Sequence, residues 1–204
     1  MIFGLFFAKL GLLYTGDGGA HSTERGEPVE DYLLIPVVSA KELEAQLDDL
    51  AAQINRDYEG KNVVVVGVLK GAFVFLADLV RRLTFPVEVD FVRLASYGDA
   101  SETSGVVRIT KDVDIPLKGR HVLIVEDIVD TGTTLAWYID RLREQEVESV
   151  KICALIDKHE RRKTPVPLEY VGISIDKGFL VGYGLDFSEK HRNLPGIYEV
   201  QFRK

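Results

Sequence analysis

The sequence predicts an α/β protein with a doubly wound, mainly parallel sheet, on three observations. Short, continuous apolar runs alternate with longer amphipathic stretches, as strands covered on both faces alternate with the helices that cover them. Val122, Leu123, Ile124 and Val125 form the clearest such run, β-branched and aliphatic throughout. The chain has 204 residues, 46% hydrophobic and 28% charged, without an internal repeat or low-complexity segment, which suits one domain of ordinary size.

Residues 1–14 are apolar apart from Lys9 and precede a polar, glycine-rich stretch over 15–27. They are too short to span a bilayer, and a signal peptide would carry its positive charge ahead of the apolar core. The expectation is an extension over 1–27, disordered or packed on a partner subunit, or residues upstream of the true start, with the folded domain over 28–204. Ser39 and Glu42 predict a capping box, and Leu43, Leu47, Leu50, Ala51 and Ile54 form one apolar helical face ending near Gly60. Residues 62–68 predict a buried strand that runs through Leu69, Lys70, Gly71 and Ala72 into a helix over 73–83, stopped by Pro86. Residues 87–94 predict the next strand. Few apolar side chains, two glycines and many small polar residues over 95–114 suit a lid, a disordered loop or a plain hairpin. The run over 122–125 is a further strand, followed by a helix over 135–143. Residues 150–156 and 171–175 predict strands, and 180–183 a weaker one.

The chemistry concentrates after Val125. Glu126 and Asp127 follow the strand, and Asp130, Thr131, Gly132, Thr133 and Thr134 form a turn before the helix. Ligands of open α/β sheets bind outside the carboxyl ends of strands, and a helix amino terminus favours phosphate. These pieces suit a phosphorylated, polyhydroxylated ligand. Taken singly, a capping Asp130 or Thr131 and solvated loop acids explain them as well. No GxxxxGK followed by Ser or Thr is present, and no GxGxxG follows a strand. The net charge of −7 argues against a nucleic-acid surface. Cys153, alone in its apolar run, is a core residue without an intrachain partner, so a reducing cytoplasm is the expected location. His21, His121, His159 and His191 lack metal-ligand spacing.

Together, the strand, the adjacent acids and the DTGTT turn resemble the phosphoribosyl pyrophosphate (PRPP) signature of type I phosphoribosyltransferases. Ser96, Tyr97 and Gly98 resemble the start of the mobile loop of the purine enzymes. Phe179 and Leu180, followed by Val181, Gly182, Tyr183, Gly184, Leu185, Asp186 and then Arg192, resemble the block of hypoxanthine (hypoxanthine-guanine) phosphoribosyltransferases. Lys70 and Gly71 match that family's pyrophosphate loop, with Ala72 where a second glycine is common. The resemblance runs from about residue 28 to the end.

It implies the type I fold, a doubly wound sheet with a small hood formed by the chain ends and a mobile loop. It implies purine salvage, with pyrophosphate displaced from PRPP by hypoxanthine first, guanine second and xanthine third, and Mg2+ as cofactor. Asp130 would be the general base, and Glu126, Asp127, Asp130, Thr131, Gly132, Thr133 and Thr134 would hold the phosphoribosyl group. Lys70, Gly71, Ser96, Tyr97 and Arg192 would bind pyrophosphate, with a cis peptide between Leu69 and Lys70. Lys158, Phe179, Leu180 and Asp186 would bind the base, and Glu126, Asp127 and Asp186 the metal. Without the resemblance, Lys158 belongs to a solvated basic run over 158–163, and Arg192 is a surface residue beside Glu189. Partners would be PRPP, a 6-oxopurine and like subunits in a homodimer or homotetramer, with neither nucleic acid nor membrane. Arg93 would contribute across a subunit boundary. Two rivals stay open: a same-fold transferase directed at xanthine or a pyrimidine, and a PRPP-binding regulator without turnover.

Overall fold

Alternate side chains of the central strands enter two different cores, and this alternation sets the layers. In β2 (Val63–Val68), Val63 and Val65 face one cluster while Val64, Val66 and Val68 face the other. β5 (His121–Val129) divides likewise, Leu123 and Val125 from Val122 and Ile124. The computed structural model describes residues 32–97 and 106–203. Its larger sheet also contains β3 (Glu88–Tyr97), β4 (Val106–Lys111), β6 (Ser149–Lys158) and β7 (Tyr170–Ile175), in the order β4-β3-β2-β5-β6-β7. Only the β3–β4 pair is antiparallel. Helices α1 (Ala40–Tyr58) and α2 (Phe73–Val80) cover one face, and α3 (Thr133–Arg143) covers the other. Gly67 lets α2 lie close, since a β-carbon there would stand 2.6 Å from Leu76 Cδ2.

The first helix follows its sequence signals closely. Ser39 Oγ accepts from the Glu42 amide at 3.3 Å, Glu42 Oε2 accepts from the Ser39 amide at 2.8 Å, and the buried face is Leu43, Leu47, Leu50, Ala51, Ile54 and Tyr58. Removing such a cap typically costs about 1 kcal/mol. The second helix is shorter than expected. It ends at Val80, and the chain continues in tighter turns, Arg82 N to Leu79 O at 2.9 Å and Leu83 N to Val80 O at 3.3 Å, while Arg82 Nε bonds Asp48 at 2.7 Å and the Thr84 amide bonds Asn55 Oδ1 at 2.9 Å, both on the first helix.

Three further boundaries move. β5 continues through Glu126 and Asp127 to Val129, so these acids lie within the strand, beyond the last β2 pairing at Gly67 and Val125. α3 begins at Thr133, which places Thr133 and Thr134 in its first turn. Within the polar stretch after β3, Val106–Lys111 form the antiparallel strand β4, paired to β3 with an irregularity at Arg93 and Leu94. Residues 98–105, the middle of the expected mobile loop, lie outside the described residues, as does the extension over 1–27.

A second sheet joins β1 (Tyr32–Val38), β9 (Ile197–Phe202) and β8 (Leu180–Val181) in the order β1-β9-β8, so the chain ends do build a small separate hood. Their strands give a weak sequence signal, as Pro36 interrupts β1 and four of its seven residues are exposed. Among the described residues, no helix is long and apolar enough to cross a membrane.

From β2 the chain passes through α2 to β3 on one side, while β5 pairs on the other side of β2. The carboxyl ends of β2 and β5 therefore flank the switch in strand order, where such sheets open a crevice.

Candidate active site

A cleft of about 260 Å³ opens at that switch. Val68 and Leu69 from the end of β2, Leu94 from β3, Glu126, Ile128 and Val129 from β5, the turn over 130–132, and Thr134 and Leu135 of α3 line it. Glu126 and Asp127 meet the cost of burial differently. Desolvation, then the Asp127 charge, push the Glu126 carboxyl well above its ordinary range. Desolvation also raises Asp127, opposed by hydrogen bonds from Glu126 and from the Ile128 and Asp127 amides, and by the charge of Arg192. Burial and mutual repulsion thus oppose ionisation of the two acids, a cost that hydroxyl donors or a cation would relieve.

Two glycines let the neighbouring loops reach these acids. A β-carbon on Gly71 would stand 1.6 Å from Asp127 Oδ2, so the backbone after β2 packs directly on that carboxylate. Gly184, at φ 103°, would place a β-carbon 2.1 Å from Gly71 O. The peptide between Leu69 and Lys70 is cis. Arg192 binds this junction together: it donates to Gly184 O at 2.8 Å and pairs with Asp186 at 2.7 Å and Glu189 at 3.2 Å. Lys70 reaches the same Glu189 oxygen at 2.9 Å. With its side chain 18% exposed, Arg192 is an inward hub, not a plain surface residue beside Glu189.

The turn is held from behind. Gly132 caps α3 at φ 77°, and a β-carbon there would meet Thr164 O at 2.3 Å. Thr131 O accepts the amides of Lys163 and Thr164, each at 3.0 Å, and the Thr133 and Thr164 hydroxyls meet at 3.1 Å. The first amides of α3 have no intrahelical partner and point toward the cleft end of the helix, a ready phosphate seat. Asp130 Oδ2 pairs with Arg161, whereas Oδ1 is buried without a protein partner among the described residues. Asp130 also lines the cleft, and a carboxylate at such a position can accept a proton from a ligand.

Lys158 ends β6 and is 6% exposed, with Glu160 at 3.4 Å, so it is not part of a solvated basic run. The β5–β6 ladder pairs Val129 with Asp157, which sets Lys158 alongside Asp130. Phe179 and Leu180 stand in the hood and do not line the cleft. Phe179 is 46% exposed and edge-on to Phe187 at 5.3 Å, with its ring surface accessible, while Leu180 is buried. Ser96 and Tyr97 are backbone partners of Val107 and Val106 in the β3–β4 pair, and their side chains lie outside the description.

Among the described residues, no three His, Cys, Asp or Glu side chains gather as a metal cage, so Glu126, Asp127 and Asp186 do not form one protein-only site. Sequence reasoning missed Arg161 and Arg162, which bond Asp130 through its carboxylate and its carbonyl respectively. The available signal was a basic run directly after β6 at the ligand edge of the sheet. It also missed the apolar lining from Leu94, Ile128 and Leu135.

A family model for the phosphoribosyl transferase domain matches residues 37–188. The hypoxanthine phosphoribosyltransferase of Haemophilus influenzae is 48% identical over 167 residues, 80% of this chain and 93% of that protein. The hypoxanthine-guanine phosphoribosyltransferase of Streptococcus pneumoniae is 45% identical over 79% of this chain and 89% of its own. Among solved structures, a hypoxanthine phosphoribosyltransferase from Staphylococcus aureus aligns with a TM-score of 0.79 at 39% identity, covering 81% of this chain and 90% of that one.

Proposed function

This chain belongs to the phosphoribosyltransferase family, among its hypoxanthine and hypoxanthine-guanine members, and from that premise we propose that it transfers the 5-phosphoribosyl group of PRPP to hypoxanthine and guanine. The products are the nucleoside monophosphates IMP and GMP, with pyrophosphate, and the role is purine salvage. The observation that carries the chemistry is the Asp130 carboxylate, which belongs to the cleft lining beside the amino terminus of α3 and has one oxygen without a protein partner among the described residues.

In the transfer, a purine ring nitrogen bonds to C1 of the ribose as the bond from C1 to the pyrophosphate oxygen breaks. The nitrogen's proton passes to Asp130. Thr131, Gly132, Thr133 and Thr134 seat the 5′-phosphate, and Glu126 and Asp127 hold the ribose hydroxyls. Their negative charge also favours the cationic sugar of the transition state. Lys70, Gly71 and Arg192 receive the pyrophosphate, with Ser96 and Tyr97 closing over it. Glu126, Asp127 and Asp186 would hold magnesium through hard carboxylate oxygens. When bound, magnesium offsets the charge of the leaving pyrophosphate.

Lys158 donates to the purine 6-oxygen, a bond that the 6-amino group of adenine cannot accept. Phe179 stacks on the base, with Leu180 and Asp186 at its edge. We assign the assembly as a homodimer or homotetramer on the family's pattern, and the cytoplasm as location on the lone buried Cys153. The named relatives are transferases, which favours turnover over a PRPP-binding regulator.

The test is nucleotide formation by the purified chain from Mg-PRPP with hypoxanthine, guanine, xanthine or adenine in separate reactions. Rapid IMP and GMP formation with adenine inert is expected. Binding of PRPP without any product would sink the proposal.

A further inference from the structure

The β5–β6 ladder makes its last pairing at Val129 and Asp157. The next residues on the two strands are Asp130 and Lys158, the proposed general base and the proposed reader of the purine 6-oxygen. No ladder bond fixes the distance between them. A side chain does: Arg162 Nε donates to Asp130 O at 2.8 Å, and Nη2 reaches Lys158 O at 3.2 Å. Nη2 also meets Val129 O at 2.8 Å and pairs with the Asp157 carboxylate, whose other oxygen lies 2.9 Å from His159 Nε2. One guanidinium, 20% exposed at the side chain, thus holds three backbone carbonyls and a carboxylate across two strand ends.

We propose that Arg162 is a positioning residue for the transfer, a strut that carries the register of the two strands one residue past their last rung and so sets Asp130 and Lys158 on the same purine. The inference rests on the proposed transfer reaction. The planar fork explains the choice of residue, since a lysine ammonium offers a point charge where four acceptors converge from different directions.

The phosphate turn does not depend on this strut alone. Thr131 O is held by the Lys163 and Thr164 amides, and α3 by its own bonds and core. Loss of the guanidinium should therefore spare the seat of PRPP and loosen the base half of the site. A residue needed only for general integrity would lose both together.

The experiment compares R162Q and R162K with the wild type, reading PRPP affinity and binding stoichiometry, hypoxanthine KM, and kcat. For R162Q, full stoichiometry with PRPP affinity within about threefold is expected, while kcat/KM for hypoxanthine falls by about 100-fold. R162K keeps the charge and the stem, guards against loss of fold in the glutamine variant, and should show the same selective loss at about tenfold. The proposal is overturned if R162K and R162Q both match the wild type in hypoxanthine KM and kcat. It is equally overturned if PRPP affinity falls by the same factor as kcat/KM. A wild-type protein that forms no nucleotide would instead remove the transfer reaction, before any variant is made.

Discussion

Gly71 and Asp127 are in such close contact that any β-carbon at position 71 would overlap the carboxylate oxygen at 1.6 Å. The obstructing atoms belong to the end of a side chain, so Gly71→Ala is expected to fold with Asp127 displaced. That displacement separates the loop after β2 from the acids of β5. PRPP affinity should fall by about 100-fold with Tm within a few degrees of wild type, a loss of roughly 3 kcal/mol in binding. Titration of PRPP into the folded variant checks this, and unchanged affinity would show that the contact is packing alone.

Asp130 gives one oxygen to Arg161, and its other oxygen is buried without a protein partner among the described residues. Asp130→Ala should lower kcat by about 10²–10⁴-fold, the usual range for a general base, and leave PRPP binding within several-fold. Single-turnover rates alongside equilibrium PRPP titration separate the two effects. Equal losses in both would make Asp130 chiefly a residue of the phosphate turn.

Glu126 is held above its ordinary range by burial first and by Asp127 second. A carboxyl raised in the folded state contributes full stability below its unfolded value, near 4.3, and loses it as pH rises. Glu126→Gln removes the ionisation and should make the ligand-free protein more stable at neutral pH, with the difference shrinking toward pH 4. An increase of about 2–4 °C in Tm per kcal/mol is expected at this size. Turnover should nevertheless fall, since the proposed role of Glu126 uses the carboxylate's charge. Thermal melts between pH 4 and 8 test the sign.

The parts of this molecule that were legible beforehand are those whose cause is local. Ser39 and Glu42 satisfy each other across one helical turn, and the buried face of α1 repeats every three or four residues, so both can be seen in the chain. The DTGTT turn was equally plain, as was Lys158 at the end of its strand. The end of α2 was not, because its last turn tightens to i→i−3 bonds while Arg82 and Thr84 bond Asp48 and Asn55 on another helix, contacts that no local pattern shows. β1 and β9 were hidden because a thin hood exposes much of each strand. Arg162 was invisible for a different reason: its acceptors are mainly carbonyl oxygens on two strand ends, and a carbonyl is the same in every residue.

Asp90 joins β3 to the chain beyond β4. Its oxygens accept from the Phe91 and Asp114 amides at 2.6 Å, from the Ile115 amide at 3.1 Å and from Lys111 Nζ at 3.0 Å. Burial acts to raise this carboxyl, but these four donors outweigh it and hold it at about 2. A depressed folded value stabilises above the unfolded one, near 3.9, and that contribution fades as pH falls through 2. Asp90→Asn should therefore cost about 2 kcal/mol at pH 7, and less as the acid limit is approached. Urea midpoints across pH 2–7 measure it, and a pH-independent difference would contradict the assignment.

The central claim is that one cleft at the β2–β5 switch holds the phosphoribosyl group and places the purine between Asp130 and Lys158. A crystal structure of the protein with IMP and magnesium pyrophosphate tests it most directly. The account predicts the 5′-phosphate on the amides of residues 131–134, the purine ring nitrogen at Asp130 Oδ1, the 6-oxygen at Lys158 Nζ, and the ring against Phe179. A phosphate seated away from that turn, or a base that meets neither Asp130 nor Lys158, would contradict it.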